Sequence, residues 1–204
     1  MLKNIIYALM LGVGMAACLS QQGEEADTTA SAPQIPALLG TAEETKQPAP
    51  THFVVEKQRV GNIRIGMPIE QMREHVASGL NLTDTTLMQE GMQSTAYVLH
   101  PEGQPKGLLV EQACNPNCQV WRISVLSPDF RTPEGLSVGS KYSELQQQYT
   151  IKAVTFEEGN LVALAPEAGM SFVLDHTSLP PNQLQQLNAS NVPANLLIRK
   201  ILVY

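Results

Sequence analysis

The sequence predicts an α+β fold made of two tandem strand-helix-antiparallel-meander repeats, with the helices packed on one face of an antiparallel sheet. Three observations predict it. First, the chain aligns with itself: "GNIRIGMPIEQMREHV" (61–76) and "EGLSVGSKYSELQQQY" (134–149) superpose with Gly66 on Gly139. Second, each copy is followed by apolar runs of strand length, separated by turn signals. Third, 204 residues with 43% hydrophobic content suffice to bury one core, or two small halves.

In the first copy Ile63 and Ile65 alternate as one face of a strand does, and Leu136 and Val138 match them in the second. After the glycine, Ile69, Met72 and Val76 match Tyr142, Leu145 and Tyr149, a spacing that marks one face of a short helix. Pro68 suits the first turn of the first helix and Ser140 the N-cap of the second. Strand-like runs follow: "STAYVLH", "GLLVEQ" and "QVWRISVL" in the first copy, and "KAVTF", "NLVALA", "MSFVLD" and "NLLIRKILVY" in the second. "PEGQPKG", "EEGN" and "PEAG" supply the turns. The expected division is a first repeat over 51–130 and a second over 131–204. Trp121 alternates with Ile123 and Val125, which predicts a core position.

Upstream, Lys3 gives a positive start and Ile5 to Ala17 form an uncharged apolar run. A membrane-spanning helix needs about 20 apolar residues, so this run has the length of a secretory signal instead. It ends in Met15-Ala16-Ala17-Cys18. That stretch resembles the lipobox of bacterial lipoproteins, with Met where Leu is usual. The resemblance implies that residues 1–17 are a signal peptide removed on export. It also implies that Cys18 carries acyl chains such as palmitate, and more than one chain anchors stably where a single chain is marginal. Leu19, in place of Asp, is similar to lipoproteins delivered to the outer membrane, facing the periplasm. Residues 18–50 then read as a lipid-anchored disordered tether, rich in Ala, Thr, Pro, Gln and Glu and without a sustained period.

With Cys18 assigned to lipid, Cys114 and Cys118 remain for an oxidising compartment. They flank Asn115-Pro116-Asn117 between two strand-like runs, the composition of a hairpin tip. A thioredoxin-like motif has two intervening residues in a βαβ setting, and structural zinc needs four ligands. Neither condition is met, so the pair is expected to be a disulfide staple.

The strand-helix-meander layout is similar to small envelope modules such as the BamE/SmpA lipoprotein family and the β-lactamase-inhibitor-protein-like fold. The resemblance rests on the "IGM"-to-helix stretch and the strands after it. It implies the architecture and a scaffolding or inhibitory role, and carries over no functional residue.

No constellation for catalysis is legible. There is no Gly-x-Ser-x-Gly elbow, and His52, His75, His100 and His176 stand without ligand spacing. Glu157 and Glu158 precede Gly159-Asn160 and read as a polar turn. No phosphate loop, metal site or cofactor motif is present. The net charge is −6, and removal of residues 1–17 takes Lys3 with it, giving −7. Such a chain has no basic patch for nucleic acid or anionic headgroups. Two segments suit recognition: Phe130 and Arg131 in the connector "SPDFRTPEGL", residue types enriched at binding hot spots, and Leu184 and Leu187 on a turn of helix in the excursion 176–195.

The expectation is therefore a lipid-anchored envelope protein that acts by non-covalent binding of another envelope protein, as adaptor, assembly factor or inhibitor, and is not an enzyme. The alternatives are an envelope hydrolase whose site is gathered from distant residues, and a cell-wall or glycan-binding module.

Overall fold

The computed structural model describes residues 53–89 and 91–204. The expected signal peptide, Cys18 and the expected tether lie outside the described residues. Eleven strands occur in chain order: β1 (Val55–Glu56), β2 (Arg59–Val60), β3 (Ile63–Arg64), β4 (Leu80–Gln89), β5 (Met92–Pro101), β6 (Leu108–Cys114), β7 (Cys118–Val125), β8 (Ala153–Glu157), β9 (Asn160–Ala165), β10 (Met170–Leu174) and β11 (Ile198–Val203). Helix α1 (Ile69–Glu74) precedes β4, α2 (Tyr142–Gln148) precedes β8, and α3 (Pro181–Leu184) lies between β10 and β11.

The expected α+β class is corrected. The described residues are mostly β, 45% strand and 14% helix, in an eight-stranded antiparallel sheet and a three-stranded one. The physical reason is length. Helices of six and seven residues rise only about 10 Å, whereas the ten-residue strands β4 and β5 run about 33 Å. The apolar stripes read at 69–76 and 142–149 outlast the helices: His75 caps α1, and Tyr149 is already extended. Two such helices contribute plugs to a core and do not form a layer. Ser140 is also not the N-cap. Lys141 holds that position, its N–H donating to Glu144 Oε2 at 2.9 Å, while Ser140 Oγ accepts from the Ser137 N–H.

The large sheet has the order β4-β5-β6-β7-β11-β10-β9-β8, two four-stranded meanders joined along β7 and β11. At the seam Ser124 pairs with Leu202, flanked by Val125 with Ile201 and Ile123 with Val203. The connectors before the helices dock alike. Gly66 N–H donates to Val120 O and Val120 N–H to Met67 O, both 2.8 Å. In the other half Gly139 N–H donates to Ile198 O and Ile198 N–H to Ser140 O, again both 2.8 Å. Gly66 and Gly139 adopt φ of 80° and 93°, which only glycine reaches at little cost. Each meander also carries one bulge in its last strand: Glu111 and Gln112 face Arg122 and Val120, leaving Trp121 extra, and Val173 and Leu174 face Lys200 and Ile198, leaving Arg199 extra.

One face of this sheet is the core. Leu99, Leu108 and Val125 share a row across β5, β6 and β7, and Ile201, Phe172 and Ala163 continue it through β11, β10 and β9; all are at most 1% exposed. The three-stranded sheet covers this face with Val55, Val60 and Ile63, α1 with Ile69 and Met72, and α2 with Tyr142 and Leu145. Burying apolar area of this kind at roughly 25 cal/mol per Å² is the main term holding the fold. No helix of the described residues is long and apolar enough to cross a membrane.

Candidate functional site: the uncovered sheet face

Successive strand residues point to opposite faces, so each core row implies a row on the other side. There Thr83, Val98, Leu109, Ser124, Leu202, Ser171, Leu164 and Ala153 stand opposite one another across all eight strands. At about 4.8 Å per strand, the row spans about 34 Å. Val98, Leu109, Leu202 and Leu164 are half-buried by their neighbours in the sheet, yet none belongs to the core cluster or packs against it. Among the described residues every covering element lies on the other side.

The bulges concentrate large side chains near the seam of this face. Trp121, expected in the core, is 51% exposed. The extra residue in β7 breaks the alternation, so Trp121 and Arg122 both face outward while Val120 and Ile123 stay buried. The Arg122 guanidinium stacks on the indole, 4.7 Å from its centroid. It also donates twice to Glu111, Nε to Oε1 and Nη2 to Oε2, both at 2.7 Å, a bidentate pair. Tyr204 follows Val203 at the end of β11; it is 44% exposed, its hydroxyl 2.9 Å from Ser171 Oγ on β10. Beyond the seam, Arg199 donates to Asn160 Oδ1 at 2.8 Å. Lys200 is half-buried, and burial, with Arg122 and Arg199 nearby, pushes its ammonium pKa down.

The residues singled out from the sequence are placed otherwise. Cys114 and Cys118 are disulfide-bonded at the end of the β6–β7 hairpin. Phe130 is wholly buried against Phe53, with ring centroids 5.1 Å apart, and Leu184 is 5% exposed. Leu187 packs on the core. Arg131 is exposed, but its backbone bridges to Val54 and Ser137 and its guanidinium reaches Gly135 O at 3.5 Å. The structure does not bring these four together as a surface. Leucines and a phenylalanine in a long connector carry the same signal whether they meet a partner or their own core. For Trp121 the usable signal was composition: Trp and Arg adjacent within a strand, where alternation permits only one of them inside.

Elsewhere, a shallow groove of about 320 Å³ is lined by Gln146, Tyr149, Thr150, Ile151, Ala189 and Ser190. Its titratable group, Tyr149, already donates to Glu134. His75, His100 and His176 lie apart, each ring nitrogen on a backbone carbonyl, of Gln71, Pro101 and Gly159 respectively. Among the described residues no three His, Cys, Asp or Glu side chains gather as a metal site. What the open face offers chemically is shape, apolar area, aromatic rings and fixed charge.

No family model matches the chain, and no curated protein matches it. Among solved structures it is similar to the uncharacterized protein yfeY from Escherichia coli, with a TM-score of 0.56 and 16% identity over 73% of this chain and 97% of that one. At that identity the likeness is one of fold.

Proposed function

We propose that this protein is a lipid-anchored envelope protein that binds another envelope protein through the uncovered face of its large sheet, as an adaptor, assembly factor or inhibitor. The observation that carries the reading is that face: an apolar row outside the core, with Trp121, Tyr204 and Arg122 clustered at its middle. Tryptophan, tyrosine and arginine dominate interface hot spots. The lipobox-like Met15–Cys18 supports acylation of Cys18, removal of residues 1–17 and attachment to the outer membrane facing the periplasm. The tether 18–50, fully extended at ~3.3 Å per residue, lets the domain reach on the order of 100 Å from the bilayer. The matched connector bonds and bulges support reading the sheet as one β unit used twice.

Site-specific photo-crosslinking in cells tests this. A crosslinker at Trp121 or Leu109 is expected to capture one protein, and a crosslinker at Gln146 or Glu70 on the covered side is not. Capture from the covered side alone sinks the reading. A parallel Cys18→Ser chain is expected to weaken capture and to leave the membrane fraction; retention there removes the anchor.

A further inference from the structure

Resting on that docking face, we infer that the partner presents a carboxylate to Lys200, so that the recognised segment is an acidic side chain set among apolar ones. The argument comes from matched positions. Arg122 and Lys200 occupy the same place in their meanders, each just after the bulge in the last strand. Opposite Arg122 stands Glu111, which neutralises it with two 2.7 Å bonds. Opposite Lys200 stands Val173. The second cation thus has no ion pair or hydrogen bond among the described residues, although it is half-buried.

The neighbouring charges sharpen the point. Arg122 and Arg199 both act on Lys200 unfavourably, and of the carboxylates only Glu111 opposes them, already held by Arg122. Asp175 influences Arg199, but its Oδ1 is taken by the N–H and hydroxyl of Thr177. Glu157 lies across from Asn160, at the far hairpin. A half-desolvated ammonium amid like charge is the position where an incoming carboxylate gains most. The chain as a whole is acidic, at −6, so this local excess of cations is complementary to an acidic surface that the rest of the molecule repels. Leu202, one row away, supplies an apolar neighbour, and Trp121 stacks on Arg122, one of the cations acting on Lys200.

Trp121 is the one tryptophan of the chain, so its fluorescence reports on this face alone. Displayed random peptides of about twelve residues are selected against the full chain from residue 18 carrying Cys18→Ser, and against its Trp121→Ala and Lys200→Met variants. Peptides retained by the parent and lost on Trp121→Ala are expected to be enriched in Asp or Glu at one position, and that enrichment is expected to vanish on Lys200→Met. The strongest peptide, remade with the amide in place of the acid, is expected to bind about tenfold more weakly by Trp121 fluorescence. On Lys200→Met the acid and the amide are expected to bind equally. Trp121-dependent peptides without acidic preference overturn the inference and leave the docking face standing. Selection that yields no Trp121-dependent peptide removes the docking face itself.

Discussion

The two halves of the large sheet share their connector bonds and a bulge in the last strand, and differ in what they carry. On the buried side the differences are substitutions of one apolar residue for another, Val110 corresponding to Phe172 and Leu108 to Met170, while Ile123 and Ile201 are identical. On the open side they change chemistry: Trp121 corresponds to Arg199, Glu111 to Val173, Leu109 to Ser171, Ser124 to Leu202. The hairpins differ as well. The first meander closes β6 to β7 over three residues with a disulfide, whereas the second sends its chain on an excursion through α3 between β10 and β11. On the buried side the fold needs apolar volume. The open side is free to diverge, and that divergence makes it the informative surface.

The comparison breaks first, and most heavily, in the core. Phe172→Ala is expected to cost about 3–5 kcal/mol, and Val110→Ala at the matching position about 2 kcal/mol. Urea midpoints at unchanged m value measure both. Equal costs would mean that the two halves are not packed alike despite their shared register. Next comes the staple that only the first half has. Replacing Cys114 and Cys118 together by serine is expected to cost ~2 kcal/mol, since the closed loop is short and constrains the unfolded chain little. A loss much above that would assign the staple a part in positioning Trp121, which lies three residues after Cys118.

The charge asymmetry gives a smaller effect, of different size in the two halves. Glu111→Val leaves the part-buried Arg122 unpaired and is expected to cost about 1.5 kcal/mol, discounted because the guanidinium is partly solvated. Lys200→Met at the matching position removes a cation with no partner and is expected to change stability by less than about 0.5 kcal/mol. Thermal melts of both variants beside the parent decide it. If Lys200→Met destabilises as much as Glu111→Val, Lys200 is held by the fold and its vacancy for a ligand disappears.

Much of this frame was legible beforehand, and the failures have separate causes. The Gly66–Gly139 alignment was readable because a positive φ admits little else. The seven runs lie in strands, since buried strands of an antiparallel sheet alternate strongly, but "NLLIRKILVY" is a strand only over Ile198–Val203, and the strand expected at Leu136 and Val138 is only an isolated bridge at Ser137. β4 was missed: after Leu80 and Leu82 its inward positions are Asp84, Thr86 and Met88, because it is an edge strand extending past the core. Asp84 instead receives Arg73 of α1 at 2.5 Å. The helices are shorter than their apolar stripes because periodicity gives the direction of a stripe and not the length of backbone that obeys it. The open face was illegible for a different reason. It exists because strands far apart in sequence come into register, and because a bulge shifts Trp121 by one position, which alternation alone cannot reveal.

The smallest effect concerns the ends of the helix stripes, where Val76 of the first half aligns with Tyr149 of the second. Burial, reinforced by the hydrogen bond to Glu134, pushes the Tyr149 phenol up to about 12. The same bond holds the Glu134 carboxyl below its ordinary range. A raised phenol pKa stabilises the fold fully below pH 10, the unfolded value, and that contribution is lost as pH rises through about 12. A depressed carboxyl pKa stabilises above the unfolded value of 4.5 and is lost as pH falls through the lower folded value. Tyr149→Phe is therefore expected to flatten the stability–pH curve on both flanks, chiefly between pH 10 and 12, and to leave its shape near pH 7 unchanged. Because Tyr142 is also raised by burial, the parent retains some alkaline slope in the variant, and the difference between the two curves is the measurement. Superimposable curves would mean that the Tyr149–Glu134 bond does not persist in solution.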